Sequence, residues 1–96
     1  MSLSVYLHRL ARRELDHAVD WYEDRRRGLG DKFNKRVLDL IHRIAVDPHL
    51  FAESEERIRE ARVPNFPYCI YFRVESEQLQ IISVCSGPHF LDHADR

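Results

Sequence analysis

Phe66-Pro67-Tyr68-Cys69-Ile70-Tyr71-Phe72-Arg73-Val74 decides the fold of this chain. Val, Ile, Tyr and Phe crowd it, and such residues pack well on a pleated, part-buried surface. Pro67 can open a strand but cannot sit in the middle of a ladder. Tyr68, Ile70, Phe72 and Val74 fall on one face, Cys69, Tyr71 and Arg73 on the other. Apolar character on both faces marks a central strand, covered on one side and offering a site or partner surface on the other. Arg73 is the one charge in the run, so the functional question gathers around it.

Working outward, Gln78 to Cys85 reads as the next strand, reached through a tight Glu75-Ser76-Glu77 turn. On the other side, Arg57 to Val63 alternates Arg57, Arg59, Arg62 and Glu60 with Ile58, Ala61 and Val63. Charge this dense indicates an edge strand with one wet face. Pro64-Asn65 separates it from the central strand. Three strands with short links form an antiparallel meander.

The first half of the chain is helical in period. Leu10 or Ala11, Leu15, Ala18, Val19 and Tyr22 make one apolar stripe from about Arg9. Arg25-Arg26-Arg27 suits the negative end of that helix, and Gly28 suits a left-handed cap. Phe33, Val37, Leu40, Ile41 and Ile44 make a second stripe from about Gly30 to Val46, ended by Asp47-Pro48. The short link makes the helices an antiparallel hairpin. Ser4 to Leu7 is a short leading strand. The order β-α-α-β-β-β describes a single α+β domain over 1–96, a two-layer fold with a helical hairpin on a small antiparallel sheet.

Composition narrows the function classes. With 44% hydrophobic and 32% charged residues the chain is an ordinary globular one. Its net charge of −1 argues against a dedicated nucleic-acid binder, although 15 Lys and Arg could gather on one face. There is no apolar run of about 18 residues and no signal-peptide core, so no membrane partner is expected and the cytoplasm is the expected location. Cys69 and Cys85 are read as buried thiols; a disulfide is open to them only if their strands pair. His89 and His93 stand four apart with Asp92 between, but no further ligand cluster accompanies them, so neither a metal nor any other cofactor is expected.

Several segments together carry a family resemblance. They are Ala11-Arg12-Arg13-Glu14-Leu15 with Trp21-Tyr22, Gly28-Leu29-Gly30 with Phe33, Ile44-Ala45 with Pro48 and Leu50-Phe51, Ile58-Arg59 with Ala61, and the central strand. In order and spacing they resemble the RelE/ParE toxins of bacterial type II toxin–antitoxin modules. The resemblance implies this same fold and neutralisation by a cognate antitoxin. It also implies one of two activities: RelE-like cleavage of mRNA on the ribosome, or ParE-like inhibition of DNA gyrase by binding. A member that keeps the fold as an inactive interaction module is the remaining alternative.

Metal-free RNA cleavage needs a group to deprotonate the 2′-hydroxyl, cations for the phosphorane and a proton donor for the leaving oxygen. If the chain is a nuclease, the resemblance puts Arg59, Arg73 and His89 in those roles. Where many relatives carry more basic residues, this chain has Glu60 and Pro64-Asn65; the common His-Gly-Arg-Arg type of stretch reads Ser86-Gly87-Pro88-His89. A weaker cationic surface holds RNA less well, which favours the ParE-like reading. Arg57, Arg59, Arg62, Tyr71 and Arg73 are then expected to face a protein partner. The open sheet face and edge strand allow a homodimer or a toxin–antitoxin heteromer.

Overall fold

A computed structural model describes residues 2–53 and 57–86. Its elements follow the expected order: β1 (Ser4–Leu7), α1 (Arg9–Arg25), α2 (Leu29–Val46), a short 3₁₀ turn (Pro48–Leu50), β2 (Arg59–Arg62), β3 (Tyr68–Glu75) and β4 (Gln78–Ser86). The sheet order is β1-β4-β3-β2. β2, β3 and β4 form the antiparallel meander. β1 adds to the far edge of β4 in parallel, Ser4 opposite Gln78 and Leu7 opposite Ile81, so the sheet is mixed rather than wholly antiparallel. Parallel neighbours need a long connection, and both helices and two strands lie between these two.

The helices bury their stripes against one sheet face. Ala11, Leu15, Ala18 and Tyr22 of α1 and Phe33, Val37, Leu40, Ile41 and Ile44 of α2 meet Ala61, Ile70, Phe72, Leu79, Ile81 and Val84 of the sheet. Ala11, not Leu10, takes the buried position; Leu10 is 54% exposed. At one end of the core an aromatic cluster forms around Tyr22, Phe33, Phe66 and Tyr68, with ring centroids 4.9–6.0 Å apart. In the connector, Phe51 packs edge-on against Phe72 while Leu50 stays exposed.

The turns are built by specific backbone geometry. Gly28 has φ +88 and stands at the N-cap of α2, two residues beyond Arg26, the C-cap of α1. Glu23 holds this turn: the Gly28 N–H donates to its Oε2 at 2.9 Å and the Gly30 N–H to its Oε1 at 3.0 Å. Two of the amides that a helix N-terminus leaves unpaired thus find a carboxylate, which also suits the helix dipole. The Ser76-Glu77 turn between β3 and β4 has both residues at positive φ, 51 and 60. That is the geometry of a two-residue hairpin turn whose twist matches the strands.

The β3–β4 ladder shifts register between Tyr71 and Phe72: Tyr71 faces Ser83, whereas Phe72 faces Ile81. Ile82 is therefore an extra residue, a β-bulge. Strict alternation would put Val84 opposite Ile81; the bulge resets the parity, and Val84 joins Ile81 and Leu79 in the core. Glu14 of α1 seats the bulge. Its Oε1 accepts from the Ser83 hydroxyl at 2.8 Å and from the Val84 N–H at 2.9 Å.

Candidate partner interface

The sheet face away from the helices gathers side chains from every strand. Register and alternation place Glu60 and Arg62 of β2 beside Tyr71 and Cys69 of β3, with Arg73, Gln80 and Tyr6 towards the other end. The centre of this face is not exposed: Tyr71 and Cys69 are buried at 0% and 2%. Burial pushes the Tyr71 phenol well above its ordinary value of 10.0, with Cys69, Glu60 and Cys85 adding to it and a hydrogen bond to Glu60 holding the neutral form. Burial likewise raises the Cys69 thiol, reinforced by Glu60 and opposed by Arg62. A tyrosine used as a general base needs the opposite shift, so Tyr71 is a neutral, structural phenol at neutral pH.

Arg73 joins Arg62 as a cation of this face. Its side chain is 38% exposed, and its Nε lies 3.9 Å from Glu75 Oε2. That distance is too long for a hydrogen bond, and the buried Nε makes none. Nearby, His8 Nε2 lies 3.1 Å from Gln80 Oε1, and the His8 ring meets Tyr6 edge-on at 5.2 Å.

Arg59 is placed differently. It pairs with Phe72, a core residue, and so projects from the opposite face of the sheet to Arg73. Its Nη1 donates to the Phe51 carbonyl at 2.7 Å, Nη2 lies 3.5 Å from His49 Nδ1, and Glu53 Oε1 is 3.8 Å away. The backbone follows, with the Glu60 N–H bonded to Ala52 O at 3.1 Å. Arg59 thus ties the connector onto the edge strand. Arg57 is exposed, precedes β2 and has φ +65. Of the sequence-selected residues, the fold brings Arg62, Tyr71 and Arg73 to one face and turns Arg59 away; His89 lies outside the described residues.

A second surface escaped the sequence reading. Two adjoining hollows of about 430 and 330 Å³ run along the outer side of α1, between the helix and the ends of β3 and β4. Leu10, Arg13, His17 and Trp21 line them on the helix, Tyr68 and Ser86 on the strands. Trp21 is 44% exposed and carries the Arg25 guanidinium over its ring at 4.0 Å. The signal was present as the spacing 10, 13, 17, 21, one face of a helix; it was obscured because the deeper stripe of Ala11, Leu15, Ala18 and Tyr22 runs beside it.

The family model described as ParE toxin of type II toxin–antitoxin system, parDE, matches residues 5–87. The chain belongs to this ParE toxin family. No protein in the curated set has a matching sequence. Among solved structures, this ParE-family toxin is similar to a chain of the chromosomal ParDE toxin–antitoxin system of P. aeruginosa. The TM-score is 0.79 at 20% identity, covering 90% of this chain and 97% of the other. It is also similar to a chain of the RelBE2 toxin–antitoxin complex of Mycobacterium tuberculosis, with a TM-score of 0.65 at 16% identity, covering 90% and 99%. At these identities the likeness is one of fold, two helices on a four-stranded mixed sheet.

Proposed function

We propose that this ParE-family toxin arrests growth in the cytoplasm by binding DNA gyrase, and that a cognate antitoxin neutralises it by occupying the α1 hollows and the cationic sheet face. The observation that carries the binding reading is the placement of Arg59 and Arg73 on opposite faces of the sheet. Two cations divided in this way cannot close on one phosphorane, and Arg59 is already committed to the Phe51 carbonyl. Tyr71, on the Arg73 face, is held neutral. Among the described residues, no base and pair of cations converge as metal-free RNA cleavage requires.

For the antitoxin, Leu10 and Trp21 offer apolar contact, and Arg13, Arg62 and Arg73 offer cations to carboxylates. Arg73 gains most, because its Nε has no hydrogen bond to lose. Arg57, exposed just ahead of β2, is a further cation open to a partner.

The test is a supercoiling assay with purified toxin and gyrase, beside primer extension on transcripts from induced cells. The expected result is loss of supercoiling with intact transcripts, retained in Arg73→Ala. Normal supercoiling with codon-linked breaks in mRNA would replace this reading by a RelE-like nuclease. A folded protein with no growth defect would mean an inactive interaction module. Leu10→Asp with Trp21→Glu is expected to weaken antitoxin binding at least about tenfold by calorimetry. Unchanged affinity would remove the α1 surface from the interface.

A further inference from the structure

Cys69 of β3 and Cys85 of β4 are direct partners in the antiparallel register. Both are thiols in the structure, Cys69 buried and Cys85 partly exposed. Opposed residues on antiparallel strands share a face, with Cα atoms about 4.5–5.5 Å apart. A disulfide requires about 4.4–6.8 Å between Cα atoms, so the ladder alone supplies the separation. Cβ atoms across such a pair lie about 4.5–5.5 Å apart, against about 3.5–4.5 Å in a disulfide. Closing the link therefore draws the two strands together slightly, which leaves it easier to reduce than a relaxed structural disulfide.

We propose that Cys69 and Cys85 are a reversible dithiol–disulfide pair, oxidised by a low-molecular-weight disulfide to a cross-strand link between β3 and β4. Cys85 reacts first because it is the more exposed. Its thiol gives its proton to solvent, and the sulfur attacks one sulfur of oxidised glutathione. That S–S bond breaks, and one glutathione thiolate leaves and is protonated. Cys69 then loses its proton and attacks the Cys85 sulfur of the mixed disulfide, expelling the second glutathione. In sum, two protein thiols and one glutathione disulfide become one protein disulfide and two glutathione thiols; two electrons pass to glutathione. The buried, raised thiol of Cys69 makes the second step the slower one. Arg62, on the same face, favours its thiolate, while Glu60 opposes it. The pairing does not depend on which target the toxin binds.

The folded protein is incubated with oxidised glutathione over a range of glutathione ratios, quenched in acid, denatured, treated with maleimide and weighed intact. The expected species is a monomer lighter by about 2 Da that takes up no maleimide and recovers both thiols in dithiothreitol. The native protein should pair at an oxidised-to-reduced ratio at least about tenfold lower than the same chain in urea, because the strands hold the sulfurs at high effective concentration. Cys69→Ser should accumulate a stable glutathione adduct on Cys85. Cys85→Ser should react at least about tenfold more slowly than Cys69→Ser. Two maleimides on the treated native protein, a persistent adduct on the parent chain, covalent dimers, or equal pairing in urea would each overturn the proposal.

Discussion

Replacing Glu14 with Ala should cost more than any exposed residue on α1. Its Oε1 accepts from Ser83 Oγ at 2.8 Å and from the Val84 N–H at 2.9 Å. Ser83 and Val84 are each 1% exposed, so both donors rely on this carboxylate in the folded chain. A hydrogen bond to a charged group contributes about 1.5–3 kcal/mol, and a buried donor left without a partner costs about 1–3 kcal/mol. The two donors share one oxygen, so their losses do not simply add. We expect a loss of about 3 kcal/mol, a large part of the roughly 5–15 kcal/mol that holds a domain folded. Urea unfolding followed by circular dichroism measures it. The slope should be unchanged, because the same surface is exposed on unfolding. At a slope of about 1.5 kcal/mol/M the midpoint falls by about 2 M. Glu14→Gln keeps an acceptor oxygen of the same reach and should lose only about 1 kcal/mol. Arg12→Ala, exposed on the same helix, is the control. A loss below about 0.5 kcal/mol for Glu14→Ala, the range of ordinary surface substitutions, would refute the role given to this carboxylate. So would a Gln variant as unstable as the Ala one.

Gly30→Ala should unfold the hairpin turn or shift it visibly, because a Cβ there would stand 2.6 Å from Val19 O and 2.9 Å from Glu23 Oε1; a thermal midpoint equal to the parent's would contradict that packing. Glu77→Gly should raise the thermal midpoint, relieving about 1 kcal/mol of left-handed backbone at φ 60. Arg59→Ala should speed hydrogen exchange at the Glu60 amide, bonded to Ala52 O, before it changes global stability by about 1–2 kcal/mol. Tyr22, Tyr68 and Tyr71 all have phenols raised above 10.0, burial being the main cause. Their contribution is full below the unfolded value and is lost as pH rises past 10.0 towards the folded values. Unfolding free energy should therefore be flat in this respect below about pH 9 and fall above pH 10. The slope reaches about 1.4 kcal/mol per pH unit for each phenol kept neutral. Tyr71→Phe should shallow that slope by one such phenol in urea melts across pH.

The helical hairpin and the meander were legible because each rests on local signals. Periods of 3.6 and 2, Asp47-Pro48, Gly28 and the short turns all act within a few residues. The parallel docking of β1 was not legible, since four residues carry no signal for the direction of a partner some seventy positions away. The bulge at Ile82 was hidden for a different reason: Leu79 to Val84 alternates smoothly on paper, and only the register against Phe72 and Tyr71 shows one residue too many. The anchoring roles of Glu14 and Glu23 were not legible: three of their four partners are backbone amides, which have no letter in a sequence, and the fourth, the Ser83 hydroxyl, lies 69 positions from Glu14. Arg59 and Arg73 looked like one site because both are arginines on neighbouring strands. Their division between faces follows from register, which single strands do not reveal.

The sheet order has a consequence for when this protein becomes a toxin. β4 lies between β1 and β3, yet it is the last of the described strands to be synthesised. Until residues 78–86 arrive, β1 has no neighbour in the sheet and β3 lacks one of its two. Glu14 lacks both of its donors, and the His8 amide lacks the Ile81 carbonyl that it bonds at 2.9 Å. The helical layer can form on its own early, but it has only half a floor to stand on. Long-range pairing of this kind closes late. The nascent chain is thus a pair of helices waiting for a central plank, and the groove between α1 and the strand ends is complete only once β4 is in place. A partner that recognises the finished groove between α1 and the strand ends will meet this chain only once it is able to do harm.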